Sequence, residues 1–148
     1  VMTGGDDLGV HPERDRTEEA LLDFAVESEL PVIGVCRGMY AINSLNGGQA
    51  TEVKGHVGVS HDVSIQSPWQ TIYGMSINVN SYHHSSIPES ALGKNLIATA
   101  IDEDGYVEAL CHNRLPIAAM MWHPERENAA DGDCVLFRDL IQKGAFWS

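Results

Sequence analysis

Basic side chains are scarce in this sequence: nine Lys and Arg stand against 21 Asp and Glu, a formal net charge of −12. A surface of that sign repels phosphate backbones, which argues against nucleic acid as the main partner. Long hydrophobic runs are missing too. No stretch approaches the ~20 apolar residues of a membrane-spanning helix, and no basic segment followed by an apolar one opens the chain as in a secretory signal. No membrane association is expected. Cysteine is rare, and three irregularly spaced copies make no disulfide framework. A reducing, cytoplasmic location follows as the expectation. Compact ligand pairs such as C-x-x-C or H-E-x-x-H are also lacking. His56, His61, His83, His84 and His112, with Cys111, therefore read as polar loop or strand residues, with no metal and no cofactor expected.

What is present is an ordinary globular composition, 43% hydrophobic and 20% charged over 148 residues. That length suits one domain with a sizeable core. "VMTGGDDLG" reads as a strand end followed by a glycine loop. Residues 14–29 carry helix signals: Asp15 and Glu18 have capping-box spacing, and Ala20, Leu21, Phe24 and Ala25 share a face. "VIGV" at 32–35 reads as a buried strand, and 37–48 as a helix stopped by Gly47 and Gly48. Beyond it, "QATEV", "HDVSIQ", "SINVN", "NLIATAID" and "YVEALCH" are short β-rich segments, the last two joined by the turn "DEDG". "PIAAMMW" is a further strand, and "CVLFRDLIQKG" a closing amphipathic helix. The order predicts one α/β domain with a strand-rich insertion before its last strand and helix.

Two motifs carry chemistry. "GVCRG" has the G-x-nucleophile-x-G form of a strand-to-helix elbow, with glycines where backbones approach closely. At such a helix N-terminus the dipole favours a thiolate, and the Arg37 N–H would face an oxyanion. Alone, the motif leaves Cys36 open between nucleophile and small core residue. In "MMWHPERE", His123 and Glu125 are two apart on an extended segment and point the same way. A carboxylate there can orient an imidazole; a surface loop with a fortuitous H-x-E is the alternative. Both motifs leave the carboxyl ends of strands, where open α/β sheets place their sites.

"GGDD", "GVCRGMY", "NSLNGG", "VNSYHH", "DGYVEA" and "MWHPE", in this order, resemble class I glutamine amidotransferase-like proteins, and among them the γ-glutamyl hydrolase branch, peptidase family C26. Arg37, "VNSYH" and "DGYVEA" resemble the γ-glutamyl-γ-aminobutyrate hydrolase group. Similar proteins cleave a γ-glutamyl group from a cytidine-diphosphate-linked amidate. The resemblance implies a flavodoxin-like three-layer sandwich with a mostly parallel central sheet. It also implies that a β-α-β portion is absent ahead of residue 1, so that residues 1–148 form a single but incomplete domain. It further implies a triad of Cys36, His123 and Glu125, and an oxyanion hole from Arg37 and Gly5, with Gly4 as alternative. Substrate contacts fall on Gly38 and on Asn80, Ser81, Tyr82, His83 and His84.

The implied partner is a small γ-glutamyl substrate, hydrolysed to glutamate through a thioester. The alternatives are a glutaminase domain feeding ammonia to a synthetase, and a non-catalytic regulatory module. The oligomeric state is open, a homodimer included. Tyr40 departs from the glutamine that many relatives carry four residues after the nucleophile, and either bonds substrate or fills space. Among the rest, Cys111 and Cys134 read as structural and Trp122 as packing. Asp102 and Asp104 read as a hairpin turn rather than a calcium loop, and residues 12–16 as helix start or site rim.

Overall fold

The computed structural model describes residues 1–127 and 129–144. Helix α1 (Pro12–Glu27) leads to strand β1 (Val32–Val35) and helix α2 (Arg37–Leu45). There follow β2 (Thr51–Glu52), β3 (Val57–Ile65), α3 (Gln70–Tyr73), β4 (Ser76–Tyr82) and β5 (Ser85–Pro88). The chain closes with β6 (Leu96–Asp102), β7 (Tyr106–His112), β8 (Ile117–Met120) and α4 (Asp131–Lys143).

The sheet runs β1-β8-β7-β6-β3-β4, with β5 added on β7 and β2 on β5. β1 pairs parallel with β8, Val32 opposite Ile117 through Val35 opposite Met120. On its other side Met2 makes a parallel bridge to Gly34, so the opening residues do lie as a strand end beside β1. All other ladders are antiparallel. The α/β class stands, and the expected parallel pairing is confined to the β1–β8 end. The physical reason lies in the connections: β6 and β7 are joined by the tight "DEDG" turn, which permits only antiparallel neighbours. That turn is held by Asp102, whose carboxylate accepts the N–H groups of Asp104 and Tyr106 at 3.0 and 2.8 Å.

β1 and β8 are buried at every position, the burial expected of strands covered on both faces. α2 packs on both of them, and α4 adds Leu136 and Leu140 to the core. Trp122 packs edge-on to Trp69 and Tyr73 and donates its indole N–H to Asp133 at 3.1 Å.

Helix α1 differs from its sequence reading. Its N-cap is His11, with Pro12 in the first turn, where a missing N–H costs nothing. Asp15 and Glu18 lie a turn further in and bind Arg37 of α2 instead of capping. Leu22 and Ala25 are the buried pair, while Leu21 and Phe24 are exposed. Cys134 is also exposed, at the start of α4, rather than packed in the core. The two-residue β2 is shorter than "QATEV" suggested, and β5 and α3 have no counterpart in the sequence reading.

Candidate active site

The parallel β1–β8 pair brings two motifs to one sheet edge. The Cys36 N–H donates to Met120 O at 2.8 Å, tying the elbow to the end of β8. Cys36 holds φ +50° and ψ −104°, a conformation uncommon for a side-chain-bearing residue and typical of a strained functional turn. The flanking glycines have a steric reason. A Cβ on Gly34 would lie 2.8 Å from the Gly38 backbone, and one on Gly38 would lie 2.4 Å from Met2 O. Gly38 thus packs on Met2, and its conformation serves the elbow.

Cys36 is buried, and burial pushes its thiol up to about 11, with the carboxylates of Asp7, Glu125 and Glu108 adding to the effect. The Arg37 N–H, bonded to the sulfur, pulls the other way. The Arg37 side chain points elsewhere: its guanidinium is buried between Asp15 and Glu18 of α1.

His123 follows β8. Its Nδ1 lies 2.7 Å from Glu125 Oε1. With a carboxylate as acceptor, Nδ1 carries the proton and Nε2 keeps its lone pair. Burial acts to raise the Glu125 pKa, but the bond to His123, its own backbone N–H and the charges of His123 and Arg126 together hold the carboxyl below its ordinary value. Gly4 connects the two motifs. A Cβ there would be 3.0 Å from His123 Cε1 and 3.9 Å from the Cys36 Cβ, so imidazole and thiol side chains flank one glycine.

The Gly4–Gly5 peptide is oriented from behind. Arg14 donates to Thr3 O at 3.2 Å and Gly4 O at 3.1 Å, and its Nε is fixed by Glu18 at 2.8 Å. In a trans peptide the N–H points opposite to the carbonyl, so Gly5 N–H is turned away from Arg14. A Cβ on Gly5 would strike the guanidinium at 2.2 Å.

The "VNSYHH" residues separate into different roles. Asn80 forms a reciprocal amide pair with the His123 backbone, donating to its O at 3.0 Å and accepting from its N at 2.9 Å. Ser81 Oγ donates to His56 O at 2.6 Å. The half-exposed Tyr82 meets the His123 ring edge-on at 5.8 Å and carries the Arg126 guanidinium over its face at 3.9 Å. His84 is exposed. His83 is buried and bonds Ser85 O through Nδ1 at 2.7 Å, and the Tyr40 hydroxyl donates to that same carbonyl. Tyr40 is buried and its hydroxyl is engaged by the backbone.

An apolar cleft of about 400 Å³ opens beside this edge, with Gly4, Val35, Pro124, Glu125 and Phe137 among its walls. Cys36 is not in those walls, so the cleft adjoins the thiol rather than enclosing it. Sequence reasoning missed Asn80 as a support for His123, and Arg14, Asp15 and Glu18 as a brace for the glycine loop and Arg37. Their only signal was charge on the inner side of an amphipathic helix.

The peptidase C26 family profile matches residues 5–125. A Mycobacterium tuberculosis protein provisionally named a glutamine amidotransferase is 32% identical over 95% of this chain and 54% of its own length. The γ-glutamyl-CDP-amidate hydrolase of Campylobacter jejuni is 27% identical over 92% of this chain and 66% of its own. The chain thus spans one half to two thirds of these relatives. In fold it is similar to a Thermotoga maritima glutamine amidotransferase, with a TM-score of 0.69 over 95% of this chain and 62% of that one, at 14% identity.

Proposed function

The chain belongs to the peptidase C26 family, and on that premise we propose that it hydrolyses a γ-glutamyl amide through a cysteine thioester. The observation that carries this reading is the 2.7 Å His123–Glu125 bond beside Gly4, the residue that also abuts Cys36.

Burial holds the thiol near 11, so proton transfer to His123 Nε2 accompanies attack rather than preceding it. Sγ bonds to the γ-carbonyl carbon, and the oxyanion lies against the N–H groups of Arg37 and Gly5. On collapse the C–N bond breaks, and the imidazolium gives its proton to the departing amine. Water then loses a proton to His123 and attacks the thioester. The C–S bond breaks, the thiol regains its proton and glutamate leaves. Glu125 keeps Nδ1 protonated throughout, while Asn80 fixes the backbone that carries the ring.

The Tyr40 hydroxyl, bonded to Ser85 O, is not available to a glutamyl group in the way a glutamine side chain would be. The substrates proposed are γ-glutamyl amides of the amine or nucleotide-amidate kind; they share the glutamyl group with glutamine, so contacts to the leaving amine decide among them. The test is glutamate release from a panel of γ-glutamyl amines, γ-glutamyl nucleotide amidates and glutamine, by the protein and its Cys36→Ser variant. Cys36-dependent release from one γ-glutamyl amide well above glutamine is expected. Glutamine as preferred substrate, with activity rising when a synthetase partner is added, would replace the hydrolase with a glutaminase. No release and no thioester by mass spectrometry would leave a non-catalytic module.

A further inference from the structure

Three histidines that look unrelated in sequence converge in the strand-rich half. His56 lies between β2 and β3, His61 on β3, His83 just after β4, and Glu108 in the middle of β7. One ligand-type atom from each of the four lies within 4.8 Å of all the others. The rings pack around one another, His56 to His61 at 5.2 Å and His56 to His83 at 4.9 Å between centroids. Glu108 reaches between them, with Oε1 3.4 Å from His83 Nε2 and Oε2 3.7 Å from His61 Nε2.

None of these contacts makes a hydrogen bond. Among the described residues, His56 Nδ1, His61 Nε2, His83 Nε2 and both Glu108 oxygens are buried without a partner. Glu108 is fully buried and His83 nearly so. Buried polar atoms are ordinarily satisfied, and a carboxylate left unpaired in a core is costly. A proton on one ring would answer one contact. Protons on all three would pack three cations together, and four inward-facing donor atoms would still lack a shared partner. One divalent cation satisfies all of them.

The surroundings are also those of a ligand set. His83 Nδ1 must donate to Ser85 O, since a carbonyl only accepts, and this leaves Nε2 as the lone-pair nitrogen facing inward. A ring N–H given to a backbone carbonyl is how metal-binding histidines are commonly oriented. The backbone of His56 is held likewise, its carbonyl accepting from Ser81 Oγ and His83 N. His56 also approaches Asp102 and Asp104. There Asp104 is exposed and Asp102 is engaged in the β6–β7 turn, so that grouping is the weaker one.

We propose that His56, His61, His83 and Glu108 form a binding site for a divalent transition-metal ion of the zinc type. Three imidazoles and one carboxylate suit zinc or its neighbours, whereas magnesium and calcium prefer all-oxygen shells. The absence of a sequence signature is explained by the register: four separate segments supply one ligand each. Bound there, the ion would clamp the loop before β3 to the end of β4 and to β7. Through His83 it would also fix the Ser85 carbonyl that receives the Tyr40 hydroxyl of α2. The proposal is independent of Cys36 chemistry.

The test uses untagged, chelator-dialysed protein carrying Cys36→Ser, so that the thiol–imidazole pair cannot take the metal. Zinc is titrated by calorimetry, with melting temperature followed in parallel. One zinc per chain and a raised melting temperature are expected. Affinity should fall at least ~100-fold in Glu108→Gln and in His61→Ala and stay unchanged in His11→Ala, the exposed N-cap residue of α1. If either cluster variant fails to fold, the cobalt(II) spectrum of the parent decides. An intense tetrahedral visible band without a thiolate charge-transfer band supports the site. A thiolate band, a spectrum like that of aqueous cobalt, no stoichiometric zinc uptake, or uptake that survives both substitutions overturns it.

Discussion

His123 and Glu125 meet at 2.7 Å at the end of the β1–β8 pair, with the Glu125 side chain 60% exposed. Glu108, by contrast, is buried between His61 and His83 at 3.7 and 3.4 Å, and among the described residues its carboxylate has no hydrogen-bond partner. Both groupings combine imidazole with carboxylate, yet they are built for different work. The first is satisfied and solvated at its carboxylate, which suits the proton transfer proposed for it. The second turns several buried acceptor atoms toward a single point. An imidazole–carboxylate pair poised for proton transfer must exchange its proton, whereas one built to hold an ion needs converging lone pairs and few protons.

The contrast is broken most directly at the first grouping. Cys36→Ser and His123→Ala should each lower kcat/KM for the γ-glutamyl substrate by about 10⁴-fold or more, as for other nucleophile–base pairs, with the melting temperature little changed. A surviving rate within tenfold of the parent would remove these residues from the chemistry. Glu125→Gln should cost less, about 10²-fold in kcat with KM nearly constant, because its carboxylate is half solvated. A loss as large as that of His123→Ala would mean that Glu125 does more than orient.

Arg37→Ala separates the elbow's backbone role from its side chain. The substitution strands Asp15 and Glu18 without their buried cation and should cost about 3 kcal/mol in urea unfolding. The main-chain N–H that faces the sulfur is retained, so activity per folded molecule should persist.

The smallest effect concerns pH. Burial raises the Cys36 thiol to about 11 and the Cys111 thiol to about 12. Each stays protonated in the folded protein above the pH at which it ionises in the unfolded chain. Their stabilisation is therefore complete below about pH 9 and is lost as pH rises through 9 to 11 and beyond. Cys36→Ser should reduce that alkaline slope by about 1.4 kcal/mol per pH unit. An unchanged slope would mean that the thiol ionises in the folded protein as it does in the unfolded chain, and that burial does not raise it.

The elements around Cys36 were legible in the sequence because their signals are local. "VIGV" is apolar enough for a doubly covered strand, and "GVCRG" carries its glycines where Gly34 meets Gly38 and Gly38 meets Met2. H-P-E did place His123 beside Glu125, but through a turn after β8 rather than along an extended strand. Helix α1 was misjudged because local capping patterns could not compete with Arg37, a buried cation 22 residues after Asp15. Asn80 was assigned to substrate by resemblance alone, and its pairing with the His123 backbone 43 residues away has no local signal in the sequence.

The sequence by itself determined the α/β class and the strand–cysteine–helix elbow, and set His123 two residues from Glu125. Each depends on spacing within a few residues, which covalent geometry converts directly into shape. Only the tertiary structure decided that His56, His61, His83 and Glu108 face one another. Their convergence depends on antiparallel register across β3, β4 and β7, set by the burial of whole strand faces rather than by any short motif.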